Sequence, residues 1–332
     1  MNFMDTLETL TQQVMGGHKV TKEEALWLSK QPLEPLCRQA DMIRRHFCKN
    51  TFDLCTIING KSGRCSENCK FCAQSAHNHT GADTYPLLSK KEILADAKKQ
   101  AAQGVLRYSI VTAGKALSDK EIDNMCDTIR QIRQETTFSV CVSFGLLTEP
   151  QFSRLKEAGV SRVHNNLETS EKHFPNICTT HTFADKVSAI QAAQRAGLTV
   201  CSGGIMGMGE TMADRIDMAL SLRELGITSV PINVLNPIPG TPFGEYPTLS
   251  EEEVLRILAL YRFLLPAASI HMAGGRGLLP DGGRSCFLSG ANAAITGDML
   301  TTAGITVQTD LQMLTELGYE VKLDETTDDH RH

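Results

Sequence analysis

The 332-residue sequence predicts an α/β fold, a (β/α)8 barrel of the TIM type preceded by an N-terminal helical extension. Short β-branched or apolar runs alternate with amphipathic segments, and this alternation is typical of a parallel sheet covered by helices. Several amphipathic segments end in glycine, as helices commonly do. A barrel of about 250 residues with extensions also fits the chain length.

The predicted elements divide the chain into a helical extension over 1–50, the barrel over 51–320 and a flexible, charged tail over 321–332. In the extension, Thr21 followed by Glu24 predicts a capping box that starts the helix KEEALWL. An incomplete barrel of fewer units is the alternative if the first or last strands are misplaced. The eight strands are predicted at 53–59, 107–113, 138–144, 161–166, 199–203, 229–235, 268–273 and 294–297.

Composition restricts the classes of partner. A net charge of −5 and the lack of a long basic run argue against nucleic-acid binding, so small molecules are the expected partners. No stretch approaches the roughly 20 apolar residues of a membrane helix, and the opening MNFMDTLETL has no signal-peptide pattern. We expect no membrane association and a cytoplasmic location, where eleven cysteines favour metal-binding or structural thiols over disulfides.

The segment CSENCKFC spaces Cys65, Cys69 and Cys72 as CxxxCxxC. Three thiolates hold three corners of a 4Fe-4S cluster and leave the fourth iron open to S-adenosylmethionine (SAM), whose reductive cleavage yields a 5′-deoxyadenosyl radical. The alternative, structural zinc, usually needs a fourth Cys or His. The triad follows the first predicted strand, so we expect it at the C-terminal mouth of the barrel, with Phe71 beside the adenine or in ordinary packing.

Two polar and glycine-rich segments fit the same ligand. Gly203 and Gly204 open GGIMGMGE after the fifth strand and allow close backbone approach for a carboxylate or ribose, without the GxGxxG spacing of a dinucleotide site. In HNNLETS, Asn166 and Glu168 share a face by the period of two. They are predicted to bind ribose or substrate, or else to cap a helix.

Seven motifs, in order along residues 20 to 320, make the chain resemble the biotin synthase family: CSENCKFCAQS, HNNLETS, VCSGGIMGMGET, SVPINVLNPIPGTP, AGGR, SGAN and GDMLTTAG. The resemblance implies a radical SAM barrel, usually homodimeric, that inserts sulfur between two unactivated carbons of dethiobiotin to give biotin. It further implies flavodoxin or ferredoxin as electron donor, and an auxiliary iron-sulfur cluster inside the barrel as sulfur source.

The resemblance also assigns ligand contacts. Asn166 and Asn233 would hold the ureido ring of dethiobiotin, because amides both donate and accept hydrogen bonds. Glu168 would bind the ribose hydroxyls, and Lys186 stands where the family usually has an arginine near the methionine carboxylate. Without the resemblance, Asn233 satisfies backbone groups at a strand end and Lys186 is a solvated helix charge.

The sequence departs from the family pattern at the auxiliary cluster, which many members hold as 2Fe-2S with three barrel cysteines and an arginine. Cys141 and Cys201 are retained, but Ser109 replaces the second-strand cysteine and His271 replaces the arginine. Cys55 is the candidate replacement, because alternate strands of an eight-stranded barrel point one layer of side chains inward.

Three thiolates suit a cubane better than a 2Fe-2S cluster, which normally takes four ligands, so we favour a 4Fe-5S cluster with 2Fe-2S as the alternative. His271 then ligates the unique iron, hydrogen-bonds the sulfide or stays unliganded, and Cys55 is otherwise a small buried apolar residue. Arg107 and Arg276, near strand ends, are anion or cluster-edge contacts, or else surface or helix-cap residues. Buried structural thiols are expected at Cys37, Cys48, Cys126, Cys178 and Cys286.

The competing functions are a hydrogenase-cofactor maturase, an amino-acid mutase of the radical SAM class, a noncatalytic iron-sulfur protein or a zinc-stabilised binding module. The enzymes share the triad and the barrel. The three barrel cysteines, with SVPINVLNPIPGTP and GDMLTTAG, favour biotin synthesis over these alternatives.

Overall fold

The computed structural model describes residues 6–323, so all but the first three residues of the predicted tail lie outside the described part. Three helices, α1 (Leu7–Met15), α2 (Lys22–Leu28) and α3 (Leu33–Cys48), precede the first strand. At the start of α2, the backbone N–H of Thr21 donates to the Glu24 carboxylate at 2.8 Å, and the Glu24 N–H donates to the Thr21 hydroxyl at 3.2 Å. This is the capping box that the sequence predicts.

The strands form one parallel sheet that closes into a barrel, because β1 pairs with both β2 and β9. The predicted eight-stranded barrel is confirmed, with β5 and β6 together at its fifth position. A short β10 pairs with the start of β1. The bounds are β1 (Thr51–Lys61), β2 (Arg107–Thr112), β3 (Ser139–Ser143), β4 (Val160–His164), β5 (Thr199–Cys201), β6 (Gly204–Met206), β7 (Ser229–Val234), β8 (Ser269–Met272), β9 (Ala293–Thr296) and β10 (Glu320–Val321).

Helices connect the strands, and most of them begin with a capping box of the same kind as α2. Such boxes satisfy free N–H groups of the first turn and fix where each helix begins. The bounds are α4 (Lys90–Ala101), α5 (Asp119–Glu135), α6 (Glu149–Glu157), α7 (Phe183–Arg195), α8 (Met212–Glu224), α9 (Glu251–Leu264), α10 (Arg284–Phe287) and α11 (Val307–Glu316). Within residues 6–323, no helix is long and apolar enough to cross a membrane.

The fifth barrel position is interrupted, so the prediction of one strand over 199–203 is wrong. The strand ends at Cys201 and resumes as β6 at Gly204. A Cβ on Gly203 would lie 1.9 Å from the carbonyl oxygen of Pro231, and one on Gly204 would lie 2.3 Å from that of Glu168. The two glycines therefore let the chain change direction between tightly packed backbones, which no larger residue would allow.

Arg276 has a structural role. Its guanidinium donates two hydrogen bonds to the carboxylate of Asp310, at 2.6 and 2.7 Å, and both side chains are buried. This bidentate pair joins the turn after β8 to α11. The surface role that the sequence allowed for Arg276 is wrong, because the side chain is buried against Asp310.

Candidate active site

One cavity of about 410 Å³ brings together nearly all the predicted site residues. The two exceptions are Gly203 and Gly204, which lie beside it. The Gly203 N–H donates to the Asn166 side chain at 3.0 Å, and the Gly204 carbonyl accepts from Asn233 at 3.1 Å. The predicted residues that line the cavity are Cys55, Cys65, Cys69, Phe71, Cys72, Ser109, Cys141, Asn166, Glu168, Lys186, Cys201, Asn233 and His271.

The loop that carries the CxxxCxxC triad follows β1 and is held by its own hydrogen bonds. The Cys65 N–H donates to the Gln74 carbonyl at 3.0 Å, and the Asn78 amide donates to the carbonyls of Cys69 and Cys72 at 3.2 and 2.8 Å. Burial raises the pKa of Cys72 to about 11, so this thiol keeps its proton until a metal displaces it. Three half-buried thiols on one ordered loop are a donor set that fits an iron-sulfur cluster.

A second segment, residues 177–181 after β4, binds the same loop through hydrogen bonds and an ion pair. The Asn68 side-chain oxygen accepts from the N–H groups of Thr179 and Thr180, at 2.9 and 3.2 Å. An ion pair joins Glu67 to His181, with 2.7 Å between the carboxylate and Nδ1. The position of the triad therefore depends on a segment more than 100 residues further along the chain.

Cys178 lies in this second segment, with its Sγ 3.8 Å from the Sγ of Cys69 and 3.4 Å from Nδ1 of His181. The hydrogen bond between the two thiols lowers the pKa of Cys178 to about 3 and raises that of Cys69. The expectation of a purely structural thiol is incomplete, because this buried group contacts a predicted cluster ligand. The sequence signal was the spacing of Cys178 and His181 shortly after HNNLETS.

Three further thiols lie deeper in the barrel. Cys55, Cys141 and Cys201 are at most 8% exposed and stand on β1, β3 and β5, with His271 on β8 at the seventh barrel position. Burial raises the pKa of Cys55 well above its usual value and that of Cys201 to about 12, and the neighbouring thiols add repulsion. Thiols in such a group become thiolates together only when a cationic centre binds them, so they too fit an iron-sulfur cluster.

Beneath these thiols lies a buried network of charges. The carboxylate of Asp53 pairs with two guanidinium groups, that of Arg107 at 3.2 Å and that of Arg162 at 3.3 Å, and the three side chains are at most 1% exposed. Burial raises the pKa of Asp53, but both guanidinium groups outweigh it and hold the pKa below its usual value. Arg107 is thus part of the barrel interior, where the sequence left its role open.

Arg162 is not among the site residues that the sequence predicts. Its signal was the alternation in SRVHNN, which places Arg162, His164 and Asn166 on one face of the strand, and all three line the cavity. Burial, with a smaller contribution from Lys186, lowers the pKa of His164 to about 4 and keeps this imidazole neutral.

A chain of hydrogen bonds joins Arg162 to His271. Nη1 of Arg162 donates to the Ser229 hydroxyl at 3.1 Å, and that hydroxyl lies 3.0 Å from Nε2 of His271. The hydroxyl has one proton and two lone pairs, so after accepting from Arg162 it either donates to Nε2 or accepts from it, according to the tautomer of the imidazole. Ser229 thus links the guanidinium to the imidazole.

The polar end of the cavity presents one acid, one amine and several amides. The Asn166 amide donates to the Glu168 carboxylate at 3.3 Å, and Nζ of Lys186 lies 3.3 Å from the Asn165 side-chain oxygen and 4.0 Å from Glu168. Burial raises the pKa of Glu168, and Lys186 partly offsets this effect. Asn233 donates to the Gly204 carbonyl and accepts from the Gly274 N–H at 2.9 Å.

Comparison with known proteins decides the family. The Radical SAM superfamily matches residues 61–222, and the Biotin and Thiamin Synthesis associated domain matches residues 231–320. A biotin synthase of Brachyspira hyodysenteriae is 58% identical over 320 residues, which cover 96% of each chain. The chain belongs to the biotin synthase family. A biotin synthase of Akkermansia muciniphila is 56% identical over 96% of this chain and 100% of its own.

Family membership confirms that the chain is a radical SAM enzyme and implies a 4Fe-4S cluster and SAM as cofactors. Solved structures agree on the fold. Methylornithine synthase superposes with a TM-score of 0.82 at 19% identity, over 94% of this chain and 97% of its own. The [FeFe]-hydrogenase maturase HydG superposes with a TM-score of 0.79 at 18% identity, over 93% of this chain and 74% of its own. At these identities the likeness extends to the fold alone.

Proposed function

We propose that this enzyme converts dethiobiotin into biotin, with sulfur taken from a 4Fe-5S auxiliary cluster that Cys55, Cys141 and Cys201 hold. The observation that carries the proposal is a single cavity in which these three thiols lie below the CxxxCxxC triad and the polar groups. When bound, the 4Fe-4S cluster and SAM supply the hydrogen-abstracting radical, and the auxiliary cluster supplies the sulfur. The high identity to biotin synthases supports the substrate.

The SAM end of the cavity belongs to the triad and its neighbours. Cys65, Cys69 and Cys72 hold the 4Fe-4S cluster, and Phe71 packs beside the adenine. Glu168 accepts hydrogen bonds from the ribose hydroxyls. Gly203 and Gly204 support this end indirectly, since Gly203 donates to the Asn166 side chain.

Lys186 completes the SAM end of the site as the cation for the methionine carboxylate. Its amine is already directed toward this end of the cavity by the Asn165 oxygen at 3.3 Å. A lysine offers a point charge rather than the fork of an arginine, so this contact selects for charge more than for orientation.

Asn166 and Asn233 are fixed in orientation and retain capacity for a ureido ring. Asn233 uses one N–H and one oxygen lone pair on the backbone of neighbouring segments, which leaves its second N–H and second lone pair for a ligand. Asn166 is held in the same way by Gly203 and Glu168. Amides held on both sides lose little entropy when they bind substrate.

The auxiliary site favours a cubane over a 2Fe-2S cluster. A 2Fe-2S cluster normally takes four protein ligands, and here Ser109 stands opposite Cys141 where many family members have a cysteine. His271 would have to be the fourth ligand, but its Nε2 is already hydrogen-bonded with the Ser229 hydroxyl, at 3.0 Å. We therefore assign His271 as a neutral neighbour of the cluster and not as a ligand of iron.

The proposal extends to partners by family resemblance: a homodimer in the cytoplasm that takes electrons from flavodoxin or ferredoxin and binds neither membrane nor nucleic acid. The relatives named above are bacterial biotin synthases, and the chain carries a net charge of −5. Sedimentation of the pure enzyme tests the dimer.

The decisive experiment is an anaerobic incubation of the reconstituted enzyme with SAM, dithionite and dethiobiotin, with biotin and 5′-deoxyadenosine quantified. We expect both products. Deoxyadenosine without biotin would contradict the substrate, and the absence of deoxyadenosine would contradict the radical reaction. Iron and sulfide analysis separates the cluster types, because two cubanes hold about 8 Fe per chain, whereas one cubane with a 2Fe-2S cluster holds about 6.

Two substitutions should separate the ligand contacts. Asn233→Ala is expected to weaken dethiobiotin binding about fivefold, because a lost hydrogen bond costs roughly 1 kcal/mol. Glu168→Gln is expected to weaken SAM binding by about tenfold or more, because hydrogen bonds to a charged acceptor are stronger. Equilibrium binding of each ligand to each variant measures the effects, and each variant is the control for the other. Equal losses for both ligands in either variant would contradict the assignment.

A further inference from the structure

The auxiliary site contains two buried guanidinium groups and one carboxylate between them. Asp53 accepts from Arg107 at 3.2 to 3.4 Å and from Arg162 at 3.3 Å. One carboxylate carries one negative charge and two guanidinium groups carry two positive charges. An anionic group held by the three thiols therefore meets a net positive environment where charges are weakly screened.

The family pattern usually places an arginine where this chain has His271. Arg162 stands on β4, and its Cα partners Cys141 on β3. Arg162 lines the same cavity as Cys141 and His271.

We infer that Arg162 is a positioning residue of the auxiliary cluster that supplies the positive charge beneath it and holds the Ser229 hydroxyl beside His271. The inference rests on the proposed auxiliary cluster. It assigns a role to a side chain on the side of that cluster that faces away from the CxxxCxxC triad. Two contacts define this role. Nη1 donates both to Asp53 and to the Ser229 hydroxyl, so a single group fixes the carboxylate and the hydrogen-bond chain to the imidazole.

The role has a consequence for electron transfer to the cluster. Reduction adds a negative charge, so a nearby cation makes the midpoint potential less negative and a nearby anion makes it more negative. Arg162 and Asp53 are in contact and oppositely charged. Neutralising Arg162 should therefore make the midpoint potential of the auxiliary cluster more negative. Neutralising Asp53 should make it less negative.

The test compares Arg162→Gln, Arg162→Lys and Asp53→Asn with the parent enzyme. Anaerobic redox titration followed by electron paramagnetic resonance measures the midpoint potential of each cluster, and the 4Fe-4S cluster of the triad is the internal control. For the auxiliary cluster we expect a negative shift in Arg162→Gln, a positive shift in Asp53→Asn and a value near that of the parent in Arg162→Lys.

Shifts of the same sign in the Gln and Asn variants, or no shift in either, would overturn the inference, since a packing defect has no reason to follow charge. If Arg162→Gln does not retain iron, the comparison of Asp53→Asn with Arg162→Lys tests the inference. A negative shift of the midpoint potential, or no shift, in Asp53→Asn then contradicts the inference. A parent enzyme with only about 4 Fe per chain would instead refute the auxiliary cluster itself, a separate failure.

Discussion

Cys55→Ala is expected to reduce the iron content of the reconstituted enzyme from about 8 to about 4 Fe per chain and to abolish biotin formation. Cys55 is one of three buried thiols in the barrel, and a cubane held by three protein ligands has no replacement for the one that is lost. Cleavage of SAM should persist, because the triad lies on the loop after β1 and does not include this residue. Iron analysis and deoxyadenosine yield measure the two effects.

A matched control is Cys126→Ala. Cys126 is also a buried thiol, 4% exposed, but it lies on α5 and its Sγ hydrogen-bonds the Arg154 carbonyl. The control variant should keep all its iron and its activity. Retention of the auxiliary spectrum in Cys55→Ala would show that this cluster has other ligands, and loss of both clusters in that variant would indicate misfolding.

The barrel was predictable because its signals are local. Capping boxes, such as that of Thr21 with Glu24, and alternating apolar runs identify helices and strands within a few residues. The interruption of the fifth strand was not predictable, because it depends on how closely the carbonyls of Pro231 and Glu168 approach Gly203 and Gly204. Those contacts arise between segments distant in sequence, so a strand pattern alone cannot contain them.

In the candidate site, too, local patterns predict some features, and others depend on contacts between segments distant in sequence. A spacing such as CxxxCxxC is a local pattern, and alternation along parallel strands predicts which side chains share the barrel interior. The contact of Cys178 with Cys69 instead requires residues 177–181 to fold back over the triad loop. Arg162 shows a different limit, because its inward direction was predictable from the period of two, but its ion pair with Asp53 needed the register of the closed barrel.

Cys69→Ala is expected to remove the 4Fe-4S cluster of the triad and to abolish SAM cleavage, whereas Cys178→Ala should retain both. The two sulfurs lie 3.8 Å apart, and both, with Nδ1 of His181, lie within 4.8 Å of one another, so geometry alone would allow either thiol to bind metal. The backbone distinguishes them. Cys69 belongs to the loop whose carbonyls are fixed by Asn78, in the turn that also holds Cys72, and Cys178 belongs to the segment that supports it.

Once Cys69 is bound to iron as a thiolate, it no longer donates a hydrogen bond to Cys178, so the main cause of the low pKa of Cys178 is removed. We then expect the Cys178 thiol to keep its proton and to donate a weak hydrogen bond to the sulfur of Cys69. Hydrogen bonds to cluster sulfurs raise the reduction potential, so Cys178→Ala should shift the triad cluster to a more negative potential without loss of iron. Iron counts, deoxyadenosine yield and redox titration of both variants measure this. Loss of the triad cluster in Cys178→Ala together with its survival in Cys69→Ala would reverse the assignment, because Cys178 would then be the ligand.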